Sequence, residues 1–191
     1  MVERRDVLAD AAIAVLAQEG SRGLTHRAVD RAAGLPEGTS SYYFRTRSAL
    51  LQACVDRMAV RTLSEMASGS HGATAVTSVD GLVAAAVATV GRWLADDRER
   101  LLARWELALE STRRPELGAA LQAAGARVRE RVAVTMSALG IADPERRAHD
   151  LVACLDGLAF DQLAGAGRTP RDTAALHAAI TDVVRGFTSA P

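Results

Sequence analysis

The chain has 191 residues with 23 basic and 23 acidic side chains, and this formal neutrality argues against a polycation that coats nucleic acid or membrane indiscriminately. Hydrophobic residues make up 49% but aromatics only 4%, so the core is expected to consist of Ala, Leu and Val on closely spaced helices, not of aromatic-rich sheets. No window approaches the run of about 18 apolar residues that a membrane span needs. The opening MVERRDVLAD has no basic-then-apolar leader pattern, and a cytoplasmic protein with no membrane partner is expected. Cys54 and Cys154 are isolated; they read as small buried hydrophobes, and neither a metal site nor a cofactor is expected.

In chain order, Val7, Leu8, Ala11, Ala12, Val15 and Leu16 recur at helical spacing, and Gly20 follows where a left-handed cap would end the first helix. Thr25 can cap a second, short helix from His26 to Ala33, stopped by Gly34. A third is predicted over roughly Glu37 to Tyr43, and a fourth from near Thr46, with Leu50, Leu51, Cys54, Val55 and Met58 as its buried stripe. The Ser-, Thr- and Gly-rich stretch 68–78, which carries His71, reads as a break. Beyond it, Leu82 to Leu94 and Leu101 to Leu109 mark two more helices. Pro115, Pro144 and Pro170 stand where prolines can open helices near 115–139, 144–165 and 170–187. The fold class is all-α, with about nine helices.

Between Ser21 and Arg47 the chain is locally basic: Arg22, Arg27, Arg31, Arg45 and Arg47 face only Asp30 and Glu37. The chain contains no lysine, so codon bias accounts for arginine as well as a need for bidentate phosphate contacts does. Residues 24–51 support two short helices around a Gly-centred turn, anchored by Leu24, Val29, Ala32, Leu35, Phe44 and Leu50. That is the pattern of a helix-turn-helix, whose second helix enters a major groove. Thr25, Val29, Ala33-Gly34-Leu35, Gly38-Thr39, Tyr42-Tyr43-Phe44 and Arg47, in this order, resemble the signature of the TetR (tetracycline-repressor) family. Pro36 stands in place of the family's usual capping Ser, Ser40-Ser41 in place of a common Leu-Tyr pair, and Tyr43 in place of a frequent His.

The resemblance implies a DNA-binding domain over 1–47 and a ligand-binding and dimerisation domain over 48–191. It implies that Thr25, Tyr42, Tyr43 and Arg47 hold phosphates, while Arg27, Glu37, Gly38 and Thr39, with Ser40 beside them, lie near base edges. The residues themselves allow plainer roles: Thr25 as a helix cap worth about 1 kcal/mol, Phe44 and one tyrosine as core, Arg31 and Arg45 as solvated charges.

A short head reads few base pairs, so two copies on successive major grooves about 34–36 Å apart are expected. Leu151, Leu155, Leu158, Ala159 and Gln162 on the eighth helix, and Leu176, Ile180, Val183, Val184 and Phe187 on the ninth, are the expected homodimer surface, with closure of the protomer's own core as the other reading. An effector pocket for an unidentified small molecule is expected from Met58, Trp93, Trp105, Leu109, Met136, His149, Cys154 and Phe160, residue types that also serve as ordinary core. Arg104, Glu106, Glu110, Arg113 and Arg114 read as ion pairs along the sixth helix. With no phosphate-binding glycine loop, metal-ligand cluster or local nucleophile motif, the expectation is a ligand-responsive repressor of a palindromic operator and not an enzyme. The competing reading is a helical small-molecule-binding or protein-interaction module that has lost specific DNA binding.

Overall fold

The computed structural model describes residues 3–67, 76–165 and 172–188. Among these, nine α-helices and no strand occur: α1 (Arg4–Gly23), α2 (His26–Ala32), α3 (Thr39–Tyr43), α4 (Arg47–Ala67), α5 (Val79–Ala95), α6 (Arg98–Ser111), α7 (Pro115–Ala138), α8 (Pro144–Leu163) and α9 (Thr173–Thr188). His71 and Pro170 lie outside the described residues. The chain forms two compact units, Met1–Thr62 with Asp97–Gly125, and Leu63–Asp96 with Ala126–Pro191.

The first unit contains α1 to α3, most of α4, α6 and the start of α7. Its core joins Leu8, Ala12, Val15 and Leu16 of α1 to Leu24, Val29, Phe44, Leu50, Leu51, Cys54 and Met58, and to Ala103, Leu107 and Leu117. Each large aliphatic side chain withdrawn from water here contributes about 1.5–3 kcal/mol. Helix α1 leaves helical geometry at Gly20, where φ is +68° and ψ is −175°, then takes one more turn through Ser21 to Gly23. The expected stop is therefore a kink. Arg57 of α4 fastens this packing with a fork, donating to both carboxylate oxygens of Asp10 at 2.9 and 2.7 Å and to Asp6 at 3.0 Å.

In the second unit α5, α8 and α9 pack on one another. Ser78 caps α5 by accepting the N–H of Gly81 at 3.0 Å, and Asp172 caps α9 by accepting that of Ala175 at 2.7 Å. Helix α9 thus opens on a carboxylate cap at Asp172. Leu82, Val83, Ala86 and Val90 of α5 are buried, as are Leu151, Leu155 and Ala159 of α8 and Ile180 and Val184 of α9.

These last five residues, expected on a homodimer surface, are enclosed within a single copy of the chain. Leu158, Gln162, Leu176, Val183 and Phe187 are half-buried, while Ala153, Cys154, Gly157 and Phe160 are exposed on α8, as is Ala164 just beyond its end. Periodicity identifies an apolar stripe, but only packing shows which part of a wide stripe is already used.

Candidate nucleic-acid interface

The head is built from local rules. Thr25 accepts the N–H of Ala28 at 3.2 Å and starts α2. The helix ends in a paired-bond cap around Gly34 at φ +64°, where Leu35 N–H reaches the carbonyl of Asp30 at 2.9 Å and Gly34 N–H that of Arg31 at 3.1 Å. Glu37, expected to open α3, instead lies with Pro36 in a turn closed by Thr39 N–H to the Pro36 carbonyl at 3.2 Å. Gly38 then adopts φ +93°, so α3 begins only at Thr39. A side chain added at Gly38 would meet no atom within 4 Å; the glycine answers a backbone requirement and not a close approach.

Around this turn Thr25, Arg27, Glu37, Gly38, Ser41 and Tyr42 are exposed, Tyr42 to 80%. Arg27 and Glu37 form an ion pair at 3.3 Å with both side chains in solvent. Thr39 is half-buried, its hydroxyl donating to the Pro36 carbonyl at 2.7 Å. Tyr43 packs against the core and meets Tyr42 edge to face, 5.2 Å between ring centres. The tyrosine pair therefore divides, one ring to packing and one to solvent.

Two expected DNA-facing residues are otherwise engaged. Ser40 is wholly buried, and its hydroxyl donates to the His26 carbonyl at 3.1 Å, so in this conformation it offers no atom to a duplex. Arg47 donates to the Leu24 carbonyl at 2.9 Å, to the Ser21 hydroxyl at 2.9 Å and to the Ser21 carbonyl, tying α4 to the kinked end of α1. Three of its five N–H donors are taken by the protein. Asp30, His26 and Ser21 were not singled out from the sequence, although His26 and Asp30 stand four apart on one face of α2, the one signal that they act together. Asp30 is 1% exposed and accepts the N–H groups of Gly38 and Ser40 at 2.8 and 2.7 Å.

The residues expected around an effector come from both units. Met58, Trp105 and Leu109 belong to the first unit, and Trp93, Met136, His149, Cys154 and Phe160 to the second. Met58 and Met136 are buried, Trp93 and Trp105 half-buried, and Leu109, His149, Cys154 and Phe160 exposed. Within the second unit a partly open groove of about 670 Å³ lies between α7 and α8, lined by Arg129, Glu130, Ala133, Val134, Glu145 and His149 among others. Of the expected effector residues, His149 alone lines it. No group of metal-binding side chains occurs among the described residues, and none of their helices is long and apolar enough to cross a membrane.

Comparison with known proteins agrees with this architecture. The family described as "Bacterial regulatory proteins, tetR family" matches residues 8–54, and "Tetracyclin repressor-like, C-terminal domain" matches residues 77–186. Among solved structures, a TetR-family transcriptional regulator from Rhodococcus sp. is 25% identical with a TM-score of 0.77, over 99% of this chain and 100% of that one. The multidrug binding protein EbrR, complexed with ethidium, is 30% identical with a TM-score of 0.69, over 95% of this chain and 98% of that one. A TetR-like regulator from Rhodococcus sp. RHA1, 20% identical with a TM-score of 0.70 over the full length of both chains, shares the fold. No curated protein sequence matches significantly. With both of its parts matched, the chain is a member of the TetR family of bacterial transcriptional regulators.

Proposed function

We propose that the protein is a cytoplasmic, ligand-responsive repressor that binds a palindromic DNA operator as a homodimer. The observation that carries this reading is the outward side of the helix-turn-helix, where Thr25, Arg27, Glu37, Gly38, Ser41 and Tyr42 are all exposed around a one-turn α3. Small polar groups and an arginine on one such surface suit a major groove and its flanking phosphates. DNA binding is assigned to residues 1–47, and effector binding and dimerisation to 48–191. The homodimer would use the exposed Cys154, Gly157 and Phe160 of α8 and Ala164 just beyond it, together with the half-buried Leu158, Gln162, Leu176, Val183 and Phe187. Gly157 supports this, since a Cβ there would meet nothing within 4 Å in the chain itself, leaving room for a close helix.

A small organic effector is favoured by the likeness to EbrR, a multidrug binding protein. An effector acts by binding one spacing of the paired heads better than another, and differential affinity is the whole of the switch. Helix α4 runs in one piece from Arg47, at the end of the head, to Ala67, and can carry such a shift along the chain.

The test is a titration of the purified protein against the DNA upstream of its own gene at several salt concentrations. Tight, sequence-selective and steeply salt-dependent binding by a dimer is expected. Equal, weak binding to any duplex sinks the proposal and favours a module that has lost specific DNA binding.

A further inference from the structure

Helix α3 is a single turn, TSSYY, and a helix this short does not hold itself. Its one buried residue is a serine, and apolar packing reaches it only at the C-terminal end, through the half-buried Tyr43 and the buried Phe44 that follows. Polar contacts from α2 hold it at both ends. At the N-terminal end, the Asp30 carboxylate accepts Gly38 N–H at 2.8 Å and Ser40 N–H at 2.7 Å, two of the amides that a helix start leaves without partners. At the other end, His26 Nε2 lies 2.6 Å from the carbonyl oxygen of Phe44, the residue that closes α3. A carbonyl only accepts, so Nε2 carries the hydrogen. Between the two, the Ser40 hydroxyl donates to the His26 carbonyl at 3.1 Å.

His26 and Asp30 are four residues apart and therefore project from one side of α2. The acid sits at the positive end of the α3 dipole and the donor at its negative end. A carboxylate 1% exposed is costly to bury unless each oxygen is matched, and here each oxygen takes one backbone amide. Because Asp30 occupies these amides, a DNA phosphate does not. Contacts from α3 to a duplex then fall to its side chains, and their reach depends on how α3 is held.

We propose that His26 and Asp30 are positioning residues that clamp α3 at its two ends and thereby set the sequence selectivity of the head, without touching DNA themselves. The proposal rests on the reading of α3 as the DNA-reading helix. Its first arm uses the duplex that the wild-type protein selects from a random-sequence pool, compared with a scrambled duplex of equal length at fixed salt. For Asp30→Asn, which keeps one acceptor and turns an amide donor toward the other N–H, the ratio of selected to scrambled affinity is expected to fall about tenfold, the size of one lost base contact. Scrambled-duplex affinity and salt slope should stay at wild-type values, because no phosphate contact is removed. His26→Ala should lower selectivity likewise, and His26→Gln, whose amide nitrogen can still donate to Phe44, should restore it to within about twofold.

The second arm needs no DNA: amide hydrogen exchange at Gly38 and Ser40 in the full-length protein. Exchange at both should speed up about tenfold or more in Asp30→Asn relative to exchange in the α1 core, which reports global stability. Wild-type selectivity in folded Asp30→Asn, or His26→Gln behaving as His26→Ala, overturns the proposal. Unchanged exchange at Gly38 and Ser40 also overturns it, whatever the DNA result. If the wild-type protein selects no duplex at all, the DNA-binding reading fails, and the exchange arm alone decides whether the clamp exists.

Discussion

The Glu106 side chain of α6 accepts the backbone N–H of Ser21 at 3.1 Å, and the same serine's carbonyl and hydroxyl receive the Arg47 guanidinium of α4. Ser21 follows the Gly20 kink, so the chain's departure from helical geometry is held from two sides. Glu106→Ala leaves a part-buried N–H without its acceptor and should cost about 1–3 kcal/mol in urea unfolding. Glu106→Gln keeps an acceptor oxygen and should lose less. Equal loss in both variants would mean that charge, not the hydrogen bond, carries the contact.

Arg47 serves the protein's own backbone, and its replacement should appear first in stability. Arg47→Ala is expected to lower unfolding free energy by about 1–3 kcal/mol. The slope of log affinity against log salt should match that of the wild type, whereas loss of a phosphate contact would lower it by about one unit. Duplex titrations at several salt concentrations separate these outcomes.

Two glycines should respond to alanine with opposite signs. Gly38→Ala forces a side chain onto a backbone at φ +93° and should destabilise by about 1–2 kcal/mol. Gly157 lies within α8 with open space around it, and alanine there should raise the stability of the separate chain by about 0.5–1 kcal/mol through helix propensity. If α8 packs closely on a second copy, Gly157→Ala should also weaken the dimer, as sedimentation at several concentrations will read.

Glu110 makes stability depend on acid pH. The hydrogen bond from Arg114, 2.7 Å long, is the main cause holding its carboxyl below the ordinary glutamate range, and the nearby Arg113 at 3.6 Å acts in the same direction. A lowered pKa in the folded state contributes stability that is complete above the unfolded value and vanishes as pH falls through the folded one. Glu110→Gln should therefore be less stable than the wild type at pH 7, with the gap closing below about pH 4. A gap that is constant with pH would remove the charge from the explanation.

The two thiols should differ sharply. Burial pushes the Cys54 thiol up to about 12, and it should resist alkylation until the protein unfolds. Cys154 is exposed on α8 and should react in the separate native chain. Mass spectrometry of the labelled native protein checks both, and slower labelling of Cys154 with rising protein concentration would support an α8 interface.

The all-helical fold, the helix order and the order of signature residues from Thr25 to Arg47 were legible in the amino-acid sequence, because each is a local property. Apolar spacing, a capping hydroxyl and glycines at left-handed positions act within a few residues of themselves. The chain's TetR-like ends at Gly34 and Gly38 are of this kind, and both glycines do take positive φ. What tertiary structure decided is which partner each polar or apolar group meets. Sequence shows that Arg47 is an arginine near a predicted head, but not that Ser21 and Leu24 fold back to receive its fork. Likewise a stripe containing Leu151, Leu155, Ala159, Ile180 and Val184 is visible as apolar, yet whether it closes its own unit or faces a second copy depends on contacts distant in the chain. The helix-turn-helix pattern itself was written locally. The buried Asp30 and Ser40 that hold it together became visible only once α2 and α3 were side by side, because neither residue is apolar and their partners lie eight to fourteen positions away.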